Sequence, residues 1–209
     1  MASIFYDIYK FLFPRYSSMV TPLIMILIFI VLNRVYFKDN RKTLLFTFFA
    51  LYLVIVYRIT GLPDSMHINF RPRFQLIPFY GIVDDAFNCA LNVFLFIPFG
   101  FFITALWRDF FSCKNAVLTS MGFSLFIETL QIFCPRLTDV NDIITNTLGG
   151  FLGFCLIRVF TKSEPKLFRS PFKKRECVLV FGTTFSILFF INPIIVKFLV
   201  DVRLLINRL

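Results

Sequence analysis

The segment Ala86–Trp107 reads AFNCALNVFLFIPFGFFITALW and contains no charged residue. A helix of about 20 mostly apolar residues is long enough to cross the hydrocarbon core of a bilayer, which is roughly 30 Å thick. The apolar residues here are continuous, whereas the strands of a membrane β-barrel alternate apolar and polar positions. The segment therefore predicts a membrane-spanning α-helix.

Similar apolar stretches recur along the chain. Of its 209 residues, 58% are hydrophobic, 32 are phenylalanine and only 16% are charged, which is more apolar surface than a soluble domain of this size can bury. The predicted fold class is an all-α, polytopic integral membrane protein in a lipid bilayer, with about six transmembrane helices in one bundle. The predicted spans are Met19–Phe37, Lys42–Leu62, Ala86–Trp107, Ala116–Cys134, Ile143–Phe160 and Cys177–Val200.

These spans divide the chain into four predicted parts. Residues 1–18 form an N-terminal interfacial segment, because they lack the basic start and the small-residue cleavage site of a removed signal peptide. Residues 19–62 hold two leading transmembrane helices, and residues 70–160 form a core with three more. Residues 161–209 comprise a basic cytoplasmic loop and a C-terminal transmembrane helix.

The net charge of +10 indicates topology before it indicates nucleic-acid binding, because membrane proteins concentrate Lys and Arg in short cytoplasmic loops. Of the 22 basic residues, thirteen fall in the first, third and fifth loops and nine on the opposite side. Both termini are therefore predicted outside the cytoplasm, with loops 63–85 and 135–142 on the extracytoplasmic face. No nucleic-acid partner is expected.

Glu128, deep in the predicted fourth span, is the most informative single residue. A carboxylate near the centre of a membrane helix costs about 2.5–3.5 kcal/mol on insertion scales. Gln131 follows three residues later, on the same helix face. The pair is either a hydrogen-bonded clamp between helices or part of a polar cavity.

A polar stripe opens the predicted fifth span. Asp139, Asp142 and Asn146 recur at spacings of three and four, so they lie on one helix face. Gly149 or Gly150 and then Gly153 continue that face, where a missing side chain lets a neighbouring helix approach closely. Capping of the helix N-terminus explains Asp139 alone. It does not explain Asp142 and Asn146, which extend inward.

Two further elements come before this stripe. In the third span, Asn92 is followed by Pro98 and Gly100, and a proline at this depth frees a backbone carbonyl and usually kinks the helix. The loop before that span interleaves Arg71 and Arg73 with aromatic residues. This loop either anchors the chain at the membrane surface or binds a phosphate or carboxylate group.

These elements resemble the VanZ-like family. Asn92 to Gly100 is similar to the family's N-x-x-x-F-x-P-x-G element, and the residues from Phe74 to Phe79 are similar to its N-L-x-P-F element. Gln75 replaces the usual Asn there, and Leu91 stands where an acidic residue can appear. The strongest resemblance is Glu128-x-x-Gln131 followed by Arg136-x-x-Asp139-x-x-Asp142-x-x-x-Asn146-x-x-Gly149-Gly150-x-x-Gly153.

The resemblance implies a multi-pass protein of the bacterial cytoplasmic membrane, in a family linked to reduced susceptibility to glycopeptide antibiotics such as teicoplanin. It implies no reaction. The resulting hypothesis is action at the outer leaflet on a cell-envelope component, with a lipid-linked cell-wall precursor or the antibiotic itself as partner.

Three mechanisms are open. As an enzyme, the protein would use Glu128, Asp139 and Asp142 as acid/base groups or as ligands of a divalent cation, with magnesium or calcium suited to oxygen ligands. As a binding module, it would hold the precursor without turnover. As a transporter or flippase, it would carry protons on its membrane carboxylate. The predicted substrate-binding residues are Asn92, Gln131, Arg136, Asn146, Arg71 and Arg73.

Overall fold

A computed structural model describes residues 20–70, 72–81, 83, 85–161 and 173–206. The predicted interfacial segment 1–18 lies outside these residues. The helices are α1 (Val20–Phe37), α2 (Asn40–Ile59), α3 (Ala86–Leu106), α4 (Cys113–Gln131), α5 (Val140–Phe160), α6 (Lys174–Ser186) and α7 (Asn192–Ile206). A π-helical turn, Ile187–Ile191, joins α6 to α7, and a 3₁₀ turn, Arg108–Phe110, precedes α4.

The all-α membrane architecture is confirmed. In the described part of the chain, five helices are long and apolar enough to span a bilayer: α1, α2, α3, α5 and the continuous stretch Arg175–Leu199. The predicted fourth span corresponds to α4, which is not among the five. Its mean hydropathy is lowered by Lys114, Glu128 and Gln131 and by several hydroxyl side chains.

The helices fall into two compact units. Among the described residues, the first unit contains residues 20–59, 64–66 and 180–206, and the second contains residues 60–63, 67–70, 72–81, 83, 85–161 and 173–179. In the first unit, phenylalanine rings pack on one another: Phe37 lies 5.0 Å from Phe46 between ring centroids, and the buried Phe49 meets Phe181 edge-on at 5.4 Å.

In the second unit, α3 and α5 pack closely at their glycine residues. A Cβ on Gly149 would lie 2.3 Å from the carbonyl oxygen of Val93, and a Cβ on Gly153 would lie 2.1 Å from that of Ile97. From the other helix, a Cβ on Gly100 would lie 1.9 Å from the carbonyl oxygen of Gly150. Only glycine permits this approach, so the predicted close packing along the polar stripe is confirmed.

A short strand pair is the feature that an all-α prediction omits. The strands β1 (Phe74–Gln75) and β2 (Thr138–Asp139) run parallel, with Phe74 opposite Thr138 and Gln75 opposite Asp139. The backbone N–H of Thr138 also donates to the carbonyl of Arg73 at 2.9 Å. This pairing fastens the loop before α3 to the segment that opens α5.

Candidate functional site

The candidate site lies at the end of the second unit where α4 ends and α5 begins. Glu128 is 3% exposed, and one of its carboxylate oxygens accepts the backbone N–H of Asp139 at 3.1 Å. The Asp139 carboxylate in turn accepts the N–H of Asn141 at 2.8 Å and caps α5. Glu128 therefore holds the start of α5 against α4. This contact is the kind expected if Glu128 is a hydrogen-bonded clamp between helices.

Asp142 connects α5 to α3. Its carboxylate accepts a hydrogen bond from the side-chain amide of Asn92 at 2.7 Å, across 50 positions of sequence. Asp142 also lies within electrostatic range of Asp139, Glu128 and Arg136. The structure thus brings together the three predicted carboxylates, Asn92 and Arg136.

Arg136 and Gln131 share a backbone acceptor. The guanidinium group of Arg136 donates to the carbonyl oxygen of Thr60 at 2.6 Å, and the side-chain amide of Gln131 donates to the same oxygen at 2.9 Å. Gln131 is 3% exposed, whereas Arg136 is exposed. Arg136 is therefore held at the rim of the site by its backbone contact while its charge acts on the carboxylates.

Asn146 forms a deeper layer of the site, one helical turn from Asp142. It is 2% exposed, and its amide nitrogen donates to the hydroxyl of Ser124 at 2.9 Å. Among the described residues, the amide oxygens of Asn146 and Gln131 are buried and have no hydrogen-bond partner. Buried acceptors normally find a donor, so these two oxygens depart from the usual pattern.

Of the two arginines predicted in the loop before α3, the structure describes only Arg73. Arg71 lies outside the described residues. Arg73 has an exposed side chain, and its backbone carbonyl accepts the N–H of Thr138. The loop that carries Arg73 thus adjoins the carboxylates through main-chain bonds, while its predicted contact with an anionic ligand stays a prediction.

Asn141 is a site residue that the sequence reasoning missed. It is 4% exposed, its side-chain oxygen accepts the N–H of Phe79 at 2.7 Å, and its side-chain nitrogen donates to the carbonyl of Tyr80 at 3.0 Å. Phe79 has φ +64°, which bulky residues rarely adopt. Asn141 holds this strained turn. The partners of Asn141 lie about 60 positions away in a loop. Residue spacing within α5 therefore gives no sign that Asn141 holds this turn.

We predict that Asn141→Ala releases this loop without unfolding the unit. The variant removes two hydrogen bonds that hold a left-handed residue, so the amides of Phe79 and Tyr80 should exchange with solvent roughly tenfold faster. Hydrogen exchange with peptide-level mass spectrometry measures the change. Asn115→Ala is the matched control, because its side chain bonds Asp109 at the other end of α4. Equal exchange in both variants would show that Asn141 does not hold the loop.

The divalent-cation version of the site gains no support from the side-chain positions. In the described ranges, no group of three or more His, Cys, Asp or Glu side chains could hold a metal ion. Glu128, Asp139 and Asp142 are near neighbours, but their hydrogen bonds go to protein groups. Arg136 supplies positive charge to this cluster instead.

Comparison with known proteins identifies the family of this chain. A family model described as VanZ/LLP1 matches residues 19–161. The chain belongs to the VanZ/LLP1 family. The match includes α1 and α2, so the VanZ/LLP1 region begins well before residues 70–160, where the sequence motifs lie.

One curated relative matches in part. The chain is 37% identical over 92 residues to Protein VanZ of Enterococcus faecium, covering 43% of this chain and 52% of that protein. The chain thus spans about half the length of this VanZ relative. No solved structure matches.

Proposed function

We propose that this protein acts at the extracytoplasmic face of the bacterial cytoplasmic membrane on a cell-envelope component, and that it lowers susceptibility to glycopeptide antibiotics such as teicoplanin. Family membership supports the phenotype. The charge distribution of the loops supports the face, since the site lies in loops 63–85 and 135–142 and in the helix ends beside them.

The observation that carries the proposal is the grouping of Glu128, Asp139 and Asp142 with Arg136 at one end of the second unit. Three carboxylates beside one guanidinium group exceed what capping and clamping require. A lipid-linked cell-wall precursor combines phosphate, sugar hydroxyls and peptide amides. Arg136 suits its phosphate, while the carboxylates and the unpaired amide oxygens of Gln131 and Asn146 suit its hydroxyl and amide donors.

Binding without turnover is the version that the hydrogen bonds favour. Each of the three carboxylates accepts a hydrogen bond from a neighbouring protein group, so these side chains are held in fixed positions before any ligand arrives. Such preorganisation lowers the entropic cost of binding. In the enzymatic version, the same carboxylates would serve as general acid and base toward the bound precursor.

Reconstitution with a lipid-linked cell-wall precursor tests the proposal. Purified protein in vesicles that contain the precursor is assayed for precursor bound, for product and for movement of the precursor between leaflets. We expect saturable binding that Arg136→Gln weakens about tenfold, because one charge-assisted contact to phosphate is lost. Product would select the enzyme, and movement would select the flippase. A folded protein that gives none of these signals would contradict the proposal.

The proposed orientation makes a separate prediction. Cysteines introduced by Ser65→Cys and Thr138→Cys should react with a membrane-impermeant reagent in intact cells, whereas those introduced by Ser112→Cys and Ser170→Cys should not. The reason is that thirteen basic residues lie in loops on the Ser112 and Ser170 side. Labelling is done in a cysteine-free background. Labelling of Ser170→Cys from outside would reverse the orientation and remove the case for an outer-leaflet substrate.

A further inference from the structure

A groove of about 460 Å³ lies between α1 and α2 in the first unit, and none of its lining residues belongs to the candidate site. Both helices contribute side chains to its walls. Its apolar lining includes Ile26 and Ile30 from α1 and Leu44 and Phe48 from α2. These four side chains are between 37% and 57% exposed, so the groove opens laterally on the helix surface.

The end of the groove nearest the α1–α2 turn is polar. Asn33 and Arg34 of α1 and Asn40 and Thr43 of α2 line it. The side-chain amide of Asn33 donates to the side-chain oxygen of Asn40 at 2.6 Å, which ties the two helix ends together. Asn33 and Arg34 belong to a π-helical turn, Asn33–Phe37, a local irregularity that is frequent at functional sites.

The division into an apolar and a polar end identifies the occupant. Both helices are long and apolar enough to span the bilayer, so the walls formed by Ile26, Ile30, Leu44 and Phe48 lie at hydrocarbon depth. A laterally open groove at that depth is filled by an acyl chain, because water is excluded there. Arg34, one turn beyond Ile30, lies at the level of the headgroups, where a guanidinium group binds phosphate.

We propose that this groove binds one anionic membrane phospholipid, with an acyl chain along the apolar walls and its phosphate on Arg34. The charge of the surroundings favours such a lipid, because Lys38, Arg41 and Lys42 lie in the same turn region and juxtamembrane basic clusters attract anionic headgroups. The proposal does not depend on the function of the carboxylate site in the second unit.

Lipid retention in native mass spectrometry tests this assignment. The full-length protein is incubated with vesicles of phosphatidylglycerol or of phosphatidylcholine, and the lipid that stays bound is counted. We expect one phosphatidylglycerol molecule to be retained and phosphatidylcholine to be retained several-fold less. Arg34→Gln should weaken retention of phosphatidylglycerol about tenfold, as expected for one charge-assisted contact.

Two matched controls distinguish specific lipid binding in the groove from general attraction of anionic lipids to a basic surface. Arg41→Gln removes a charge from the same region at a residue outside the groove lining, so it should keep retention near that of the unmodified chain. Leu44→Trp fills the groove and should abolish retention, whereas Val31→Trp, on the exposed face of α1, should not. Equal losses in Arg34→Gln and Arg41→Gln, or full retention in Leu44→Trp, would overturn the proposal.

Discussion

Gly153→Ala should destabilise the second unit by about 3 kcal/mol, at the upper end of the usual cost of overpacking. The added methyl group would lie 2.1 Å from the carbonyl oxygen of Ile97 and 2.6 Å from the backbone nitrogen of Phe101. Both atoms belong to the backbone of α3 and cannot turn aside as a side chain would. The helices must separate, which also disturbs the Asn92–Asp142 bond between them.

Gly122→Ala is the control for this substitution. Gly122 lies in α4, and a Cβ there meets nothing within 4 Å. Alanine is the better helix former by up to about 1 kcal/mol, so this variant should be as stable as the unmodified protein or slightly more so. Thermal denaturation of the purified proteins in detergent compares the two. Equal midpoints would show that α3 and α5 do not pack through their glycines.

Glu128→Gln should keep the fold and lose function. Glutamine retains a side-chain oxygen that can accept the N–H of Asp139, so the link between α4 and α5 survives. The substitution removes the ionisable carboxyl group, and with it any negative charge, next to Asp139, Asp142 and Arg136. If the site acts through that charge, teicoplanin susceptibility should return to the level of cells that lack the protein, at equal membrane abundance.

Glu128→Leu provides the structural comparison. It removes both the charge and the acceptor, so the N–H of Asp139 loses its partner and the variant should be less stable by about 1–3 kcal/mol. Full resistance in Glu128→Gln together with instability in Glu128→Leu would reduce Glu128 to a hydrogen-bonded clamp. Loss of function in both variants, with instability only in the second, supports the charged site.

The sequence predicted those features that depend on the residue pattern within a single helix. Continuous apolar runs predicted α1, α2, α3 and α5, and the spacing of Asp139, Asp142 and Asn146 put them on one face. Glycine spacing predicted the close packing of α5. These inferences succeed because helical periodicity ties positions three and four residues apart to a common direction.

Contacts between distant segments were not predictable in this way. The pairing of β1 with β2 joins two-residue strands more than 60 positions apart, and strands this short leave no alternating pattern. The same holds for Asn141 and its loop partners Phe79 and Tyr80. The family resemblance indicated candidate site residues, whereas the pairing of Asp142 with Asn92 required the three-dimensional arrangement.

The central claim is that the carboxylates at the start of α5 act as one charge-dependent site. Asparagine caps a helix about as well as aspartate, and at position 142 it keeps an oxygen that can accept the hydrogen bond from Asn92. Asp139→Asn and Asp142→Asn should therefore both fold and reach the membrane. We predict that each loses function and that the double variant is little worse than either, as expected for residues that act as one unit. The direct measurement is the teicoplanin susceptibility of cells with Asp142→Asn at wild-type membrane abundance. Susceptibility equal to that of cells without the protein is the predicted result, and wild-type resistance would contradict the account.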